Sequence, residues 1–212
     1  MRRFASLLLK AIIIALVVYG VTDAFLHLGV FPLRYFTIQS NILAGCVTAL
    51  FLIGELRGHS ERSRLDAYLR GATLLAISVT GIVYHVLLAP AGGMTFESHV
   101  LHTFVPLCFV ADWLLFDPKG TFRLKDVLVW VAYPLAYVVV TLAVARFDGF
   151  YPYFFTNVSE IGYGGVAAYT LVLLAAFSAL GAAFVGIDRV LAGRAGREPA
   201  AMVAERSQLT DE

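Results

Sequence analysis

The sequence predicts an all-α integral membrane protein, a six-transmembrane-helix bundle with its N and C termini cytoplasmic. Three observations carry that expectation. Apolar residues make up 59% of the 212 and charged residues only 15%, against about a quarter charged in an ordinary soluble domain. The apolar residues also fall in long unbroken runs rather than in ten-residue alternating segments. Lipid offers no partner to backbone N–H and C=O groups, so such runs must be helices rather than barrel strands. Finally, of the 16 Lys and Arg, only Arg34 and Arg146 fall in alternate loops; the rest gather at one side, which the positive-inside rule makes cytoplasmic.

The spans follow in order, each near or above the roughly 18–20 residues needed to cross the hydrocarbon. The first, 7–29, follows Arg2 and Arg3 and carries Lys10 at its opening. Its start resembles a secretory signal, but no small-residue cleavage site follows, so an uncleaved span is expected. The second, 37–57, opens on Thr37-Ile-Gln-Ser-Asn41 just after Arg34 and closes beside Arg57. A basic stretch with His59, Arg62, Arg64 and Arg70 leads into the third, 68–90, which closes on Tyr84 and His85. The fourth, 99–116, opens on His99 and His102 and is followed by Lys119, Arg123 and Lys125. The fifth, 125–145, rises to Arg146. The sixth, 165–190, carries Arg189 at its close and is followed by Arg194, Arg197 and Arg206. Short connections predict that consecutive helices are antiparallel neighbours. Residues 1–192 therefore read as one transmembrane domain and 193–212 as a disordered cytoplasmic tail. Ala175, Ala179 and Ala183 read as a helix-packing ridge. Cys46 and Cys108 read as small buried hydrophobes without metal spacing. Asn157-Val-Ser159 matches a glycosylation acceptor in an external loop.

Polar groups inside spans are expensive and so are functional candidates, and here they crowd toward the external end. Asp23 and His27 lie at the outer end of the first span, with Thr37, Gln39, Ser40 and Asn41 opening the second. Tyr84 and His85 close the third, and His99 and His102 open the fourth. At 1.5 Å per residue, Thr37 stands about 27 Å above Glu55 and His102 about 22 Å above Asp117, which puts both in the outer third of the membrane. Thr37 and Asn41 share a helix face, as do His99 and His102, and Asp23 and His27.

The chemistry that suits such a group is a hydroxyl nucleophile with a histidine base. A threonine hydroxyl needs a base within hydrogen-bonding reach, and neutral imidazole can take its proton and return it to a leaving group. Asn41 and Ser40 are candidate oxyanion donors, with His99 and His85 as further supporting groups. Asp112 lies about 15 Å along the helix from His102 and is out of its reach. Each residue also has a plainer role open to it. A polar pair is more often an interhelical hydrogen bond, and a hydroxyl entering a helix is commonly a cap. Asp23 with His27 reads as a structural pair. No P-loop, nucleotide-binding glycine pattern, G-x-S-x-G or H-E-x-x-H occurs, so no cofactor, metal or nucleic-acid partner is expected.

Three stretches resemble a known family. They are Arg34-Tyr-Phe-Thr-Ile-Gln-Ser-Asn-Ile-Leu43, His99-Val-Leu-His102-Thr-Phe-Val-Pro106 with Asp112 further on, and Asp148-Gly-Phe-Tyr-Pro-Tyr-Phe-Phe155 running to Glu160-Ile-Gly162. In order and spacing they are similar to the androgen-induced-protein family of integral membrane hydrolases, which act on fatty acid esters of hydroxy fatty acids. The resemblance implies that Thr37 is the nucleophile and His102 the base. It also implies a lipid ester substrate drawn from the bilayer and no cofactor. The substrate's free carboxylate would pair with Arg34 or Arg146. The Arg- and Ala-rich termini fit a bacterial member in the inner membrane, and the positive-inside topology puts its site near the extracytoplasmic face. Other readings of the residues stay open. One is a zinc-dependent lipid amidase built on His85, His99, His102 and Asp23. The others are a haem carrier and a non-enzymatic lipid-binding or transport protein.

Overall fold

The computed structural model describes residues 1–58, 63–89 and 93–210, with side chains as far as residue 194. His59 and Arg62, expected in a cytoplasmic loop, lie outside the described residues. Among those described, six helices are long and apolar enough to cross a membrane. They are α1 (Arg2–Leu28), α2 (Phe36–Leu56), α3 (Arg64–Leu88), α4 (Phe96–Phe116), α5 (Asp126–Asp148) and α6 (Val158–Thr210). The chain is a multi-pass, all-α membrane protein. Large apolar side chains such as Leu26, Leu107, Leu128 and Val172 cover its outer surface, as a lipid-facing bundle requires.

The helix ends have local causes. Ser63 caps α3 in a capping box with Asp66, a pairing that satisfies two otherwise unpaired N–H groups. Asn157 accepts the Ser159 N–H at 3.1 Å at the start of α6. Gly149, with φ 71°, ends α5 in the left-handed region that only glycine enters without strain. Gly162, with φ 66°, breaks the first turn of α6 from the long helix that follows.

Helix α3 is the hub, packing on α2, α4, α5 and α6, while α1 packs on α2 and α4. The expectation that every consecutive pair would be neighbours fails at one joint: α5 packs on α3 and α6 rather than along α4. The indole of Trp130, fully buried, fills a notch at Gly71 on α3. A Cβ built there would lie 2.0 Å from a ring carbon, so the absent side chain admits α5 against α3.

Other expectations are revised. Ala175, Ala179 and Ala183 face outward, and α6 turns Phe184, Val185 and Asp188 inward instead. Cys46 is exposed rather than buried, and Cys108 is half-buried and unpaired with it. Beyond residue 193 the backbone continues helical to Thr210, in keeping with a stretch rich in Ala, Arg and Glu, which are strong helix formers.

The largest departure concerns Lys10 and Arg70, read from sequence as flanking residues. Because α1 begins at Arg2 and α3 at Arg64, both lie about two turns inside and are almost wholly buried. Asp112, with no exposed surface, lies 2.9 Å from Lys10 Nζ and 2.5 Å from an Arg70 nitrogen. Lys10 also lies 3.3 Å from Glu55, and Arg70 Nε lies 2.6 Å from Asp117. Two cations and three carboxylates, carried by α1, α2, α3 and α4 with the residue that follows it, thus meet at the end of the bundle that holds Arg2. The nearby Lys119, in the α4–α5 loop, donates to the carbonyls of Trp113 and Asp117 at 2.5 and 2.9 Å. Burial pulls its ammonium below the usual lysine range, against the opposing pull of Asp117 and Asp188.

Candidate active site

At the other end, α2 begins where the chain leaves a short 3₁₀ turn, Phe31–Arg34. Arg34 fixes that entry. Its guanidinium pairs with Asp148 at the end of α5, donates to the Phe150 carbonyl at 3.1 Å and lies 5.0 Å over the Phe150 ring. Its carbonyl accepts the Tyr137 hydroxyl at 2.9 Å. Arg34 is therefore a clamp between two loops, and its charge is engaged. Arg146 is exposed near the end of α5.

Thr37 is the second residue of α2, and its Oγ1 lies 3.2 Å from His102 Nε2. The other imidazole nitrogen, Nδ1, lies 2.9 Å from the Ser98 carbonyl. A carbonyl only accepts, so Nδ1 carries the proton and Nε2 presents its lone pair to the threonine hydroxyl. Tyr84 stacks on the imidazole at 3.6 Å between centroids, and its hydroxyl lies 3.2 Å from Ser98 Oγ. Ring orientation is thus set from one edge and one face.

Two wide helical turns meet here. The Ala89 N–H reaches back to the Tyr84 carbonyl, and the Val105 N–H to the Val100 carbonyl, each five residues earlier instead of four. Such π-turns re-aim side chains and recur at functional sites. Gly81 lets the two helices close beside them: a Cβ there would lie 3.0 Å from the His102 carbonyl.

Asn41 and Ser40 turn out to support Thr37 from behind. Asn41 donates to the Thr37 carbonyl at 2.8 Å and to the Leu101 carbonyl at 3.2 Å, tying α2 to α4. The Ser40 hydroxyl lies 3.0 Å from the Thr37 carbonyl and 2.6 Å from the Thr80 hydroxyl, and its one proton goes to one of these two acceptors. With these bonds made, neither directs a donor toward an incoming carbonyl. His85 meets Thr103 at 3.0 Å, and His99 stacks on Phe104. Asp23 pairs with His27 at 3.4 Å, as expected. The four groups of the zinc reading therefore diverge, and among the described residues no three His, Cys, Asp or Glu gather as a metal site would require.

Sequence reasoning missed Tyr153, in the loop between α5 and α6. Its hydroxyl accepts the Thr37 backbone N–H at 3.4 Å. Its ring is stacked on Phe155 at 5.1 Å and meets Tyr35 edge-on at 6.0 Å. Burial raises its phenol above the ordinary tyrosine range. Its only sequence signal was membership of an aromatic-rich loop, which does not distinguish it from Tyr151 or Phe154.

Thr37 and Tyr153 also stand on the wall of an open cavity between α2, α3, α5 and α6, of about 680 Å³ when the space open to solvent is counted. Its other walls are mostly apolar, among them Val79, Leu135, Leu174 and Phe177. Leu135 is exposed on the outer surface of the bundle as well, so the cavity lies close to the membrane side. No protein-family model, curated protein or solved structure matches this chain.

Proposed function

We propose that this protein is an intramembrane lipid ester hydrolase, with Thr37 as nucleophile and His102 as general base, acting on fatty acid esters of hydroxy fatty acids or similar esters. One observation carries the reading: the Thr37 hydroxyl faces the unprotonated nitrogen of an imidazole whose other nitrogen is held by a carbonyl. A hydroxyl, a base and an orienting acceptor in that order are the elements of an activated nucleophile. The apolar cavity beside Thr37 suits an acyl chain arriving from the bilayer. The resemblance to the androgen-induced-protein family points to the same two residues. The orientation proposed is that of the positive-inside rule: termini in the cytoplasm, and Thr37 near the extracytoplasmic face of a bacterial inner membrane.

In the first step Thr37 Oγ1 attacks the ester carbonyl carbon while its proton passes to His102 Nε2, and the carbonyl π pair moves onto oxygen. When that pair returns, the bond to the alkoxy oxygen breaks, and the departing hydroxy fatty acid takes the proton from His102. Water then attacks the acyl-threonine with His102 again accepting the proton, and collapse releases the fatty acid and restores Thr37. Arg34 is engaged with Asp148, so Arg146 is the residue proposed to meet a substrate carboxylate at the interface.

The test is ester turnover by the purified chain in detergent, followed by mass spectrometry of released fatty acid. Thr37→Ala abolishes turnover on this reading, and His102→Ala lowers it about 10²–10⁴-fold. An activated fluorophosphonate would form its adduct on Thr37. Undiminished hydrolysis by Thr37→Ala would sink the proposal.

A further inference from the structure

A nucleophile and a base leave one charge unattended. When an ester carbonyl accepts Thr37 Oγ1, its oxygen becomes an anion inside an apolar cavity, where donors already aimed at it stabilise it most. Ser40 and Asn41 bond the back of Thr37 and do not serve. Five hydroxyls line the cavity: Thr37, Thr80, Tyr137, Tyr153 and Thr170. Tyr137 donates to the Arg34 carbonyl at 2.9 Å and Thr170 to the Val166 carbonyl at 2.8 Å, while the Thr80 proton is taken by the Ala76 carbonyl at 3.1 Å or by Ser40 at 2.6 Å. Thr37 faces His102. The Tyr153 oxygen receives the Thr37 N–H, and the side chains that meet its hydroxyl are those of Thr37 and Tyr137, so no backbone carbonyl holds its proton.

We propose that Tyr153 is a further catalytic residue, whose hydroxyl donates to the oxyanion formed as Thr37 attacks the carbonyl. The assignment rests on the hydrolase reading above. Three physical points support it. The Thr37 N–H belongs to the first turn of α2, where the helix leaves donors unpaired and its dipole is positive; accepting that N–H polarises the phenol O–H outward. The ring is fixed by Phe155, Tyr35 and Tyr137, at 5.1, 6.0 and 6.2 Å between centroids, so little reorganisation is needed at the moment of reaction. The bond to the Thr37 amide also places the donor beside the nucleophile, where the carbonyl oxygen must arrive.

Tyr153→Phe keeps the ring and removes only the hydroxyl. Measured on the full chain in detergent, kcat should fall about 10²–10³-fold with KM little changed. A long-chain alkyl trifluoromethyl ketone, which forms a tetrahedral adduct with an oxyanion, should inhibit the variant about 10²-fold more weakly. The methyl ketone of the same chain, which stays trigonal, should inhibit both proteins alike. Wild-type kcat in Tyr153→Phe overturns the assignment. So does a loss of kcat with unchanged trifluoromethyl ketone inhibition, because a structural role alone would produce it. Thr37→Ala run alongside separates the two levels. If Thr37→Ala is inactive while Tyr153→Phe is not, only the oxyanion assignment falls; if both keep full turnover, the hydrolase reading falls with it.

Discussion

Asp112→Ala removes a carboxylate that both Lys10 and Arg70 contact. Asp112 has no exposed surface, and its two partners are 1% and 2% exposed. Breaking a buried ion pair by deleting one member costs about 3–5 kcal/mol, chiefly because the remaining charge is stranded away from water. Here the stranding is incomplete, since Arg70 keeps Asp117 at 2.6 Å and Lys10 keeps Glu55 at 3.3 Å. The loss therefore belongs near the lower bound, about 3 kcal/mol. For a domain of this size each kcal/mol moves the melting temperature about 2–4 °C, which gives a drop of about 6–12 °C. Trp113 and Trp130 are both fully buried, so tryptophan fluorescence during heating in detergent reports the transition. Lys10→Met combined with Asp112→Leu removes a cation together with its acid and should recover part of the loss. At permissive temperature, turnover per folded molecule should stay near wild type, because Asp112 lies about 15 Å along α4 from His102. A melting temperature within about 2 °C of wild type for Asp112→Ala would refute the account of the network.

Three further outcomes are expected. Gly71→Ala should destabilise the fold by about 1–3 kcal/mol or more, since the new methyl overlaps the Trp130 ring; a normal melting curve would mean that α5 yields easily. Asn41→Leu unties the Thr37 and Leu101 carbonyls, so it should cost about 1–3 kcal/mol and lower kcat by loosening Thr37 against His102, both measurable on one preparation. Burial raises the Tyr153 phenol, so its protonated form belongs to the folded state. The stability it contributes is complete below the ordinary tyrosine pKa of about 10 and is lost as pH rises beyond it. The melting temperature of the wild type should therefore fall above that pH more steeply than that of Tyr153→Phe.

Much of the candidate site was legible because depth along a helix is simple arithmetic. Thr37 and His102 were placed at one level by counting residues from the other end of their spans, and they face each other at 3.2 Å. Rotation about the helix axis was not legible. Asn41 shares a face with Thr37 yet bonds its carbonyl, and His99, three residues before His102, turns to Phe104 instead. The wide turns at Tyr84 and Val100 shift that rotation by a fraction of a turn. No residue pattern announces them, because they arise when two helices settle against each other. Tyr153 was illegible for a related reason: its position depends on how a loop folds over the mouth of a cavity formed by four separate helices.

The sequence by itself determined the apolar solvent, the number of crossings and the end of the bundle where the polar residues crowd. These follow from totals and spacings along one chain: apolar length against bilayer thickness, and polar residues against their cost in lipid. Only the tertiary structure decided which polar side chains meet. Lys10 and Arg70 look like ordinary flanking cations until α1 and α3 are extended by a turn or two, and then they require Asp112, Asp117 and Glu55 as partners. Likewise Arg34 looks like a free interfacial charge until Asp148 closes on it. A charge or hydroxyl is defined by what lies within about 3 Å of it, and that distance is set between helices, where sequence order has no say.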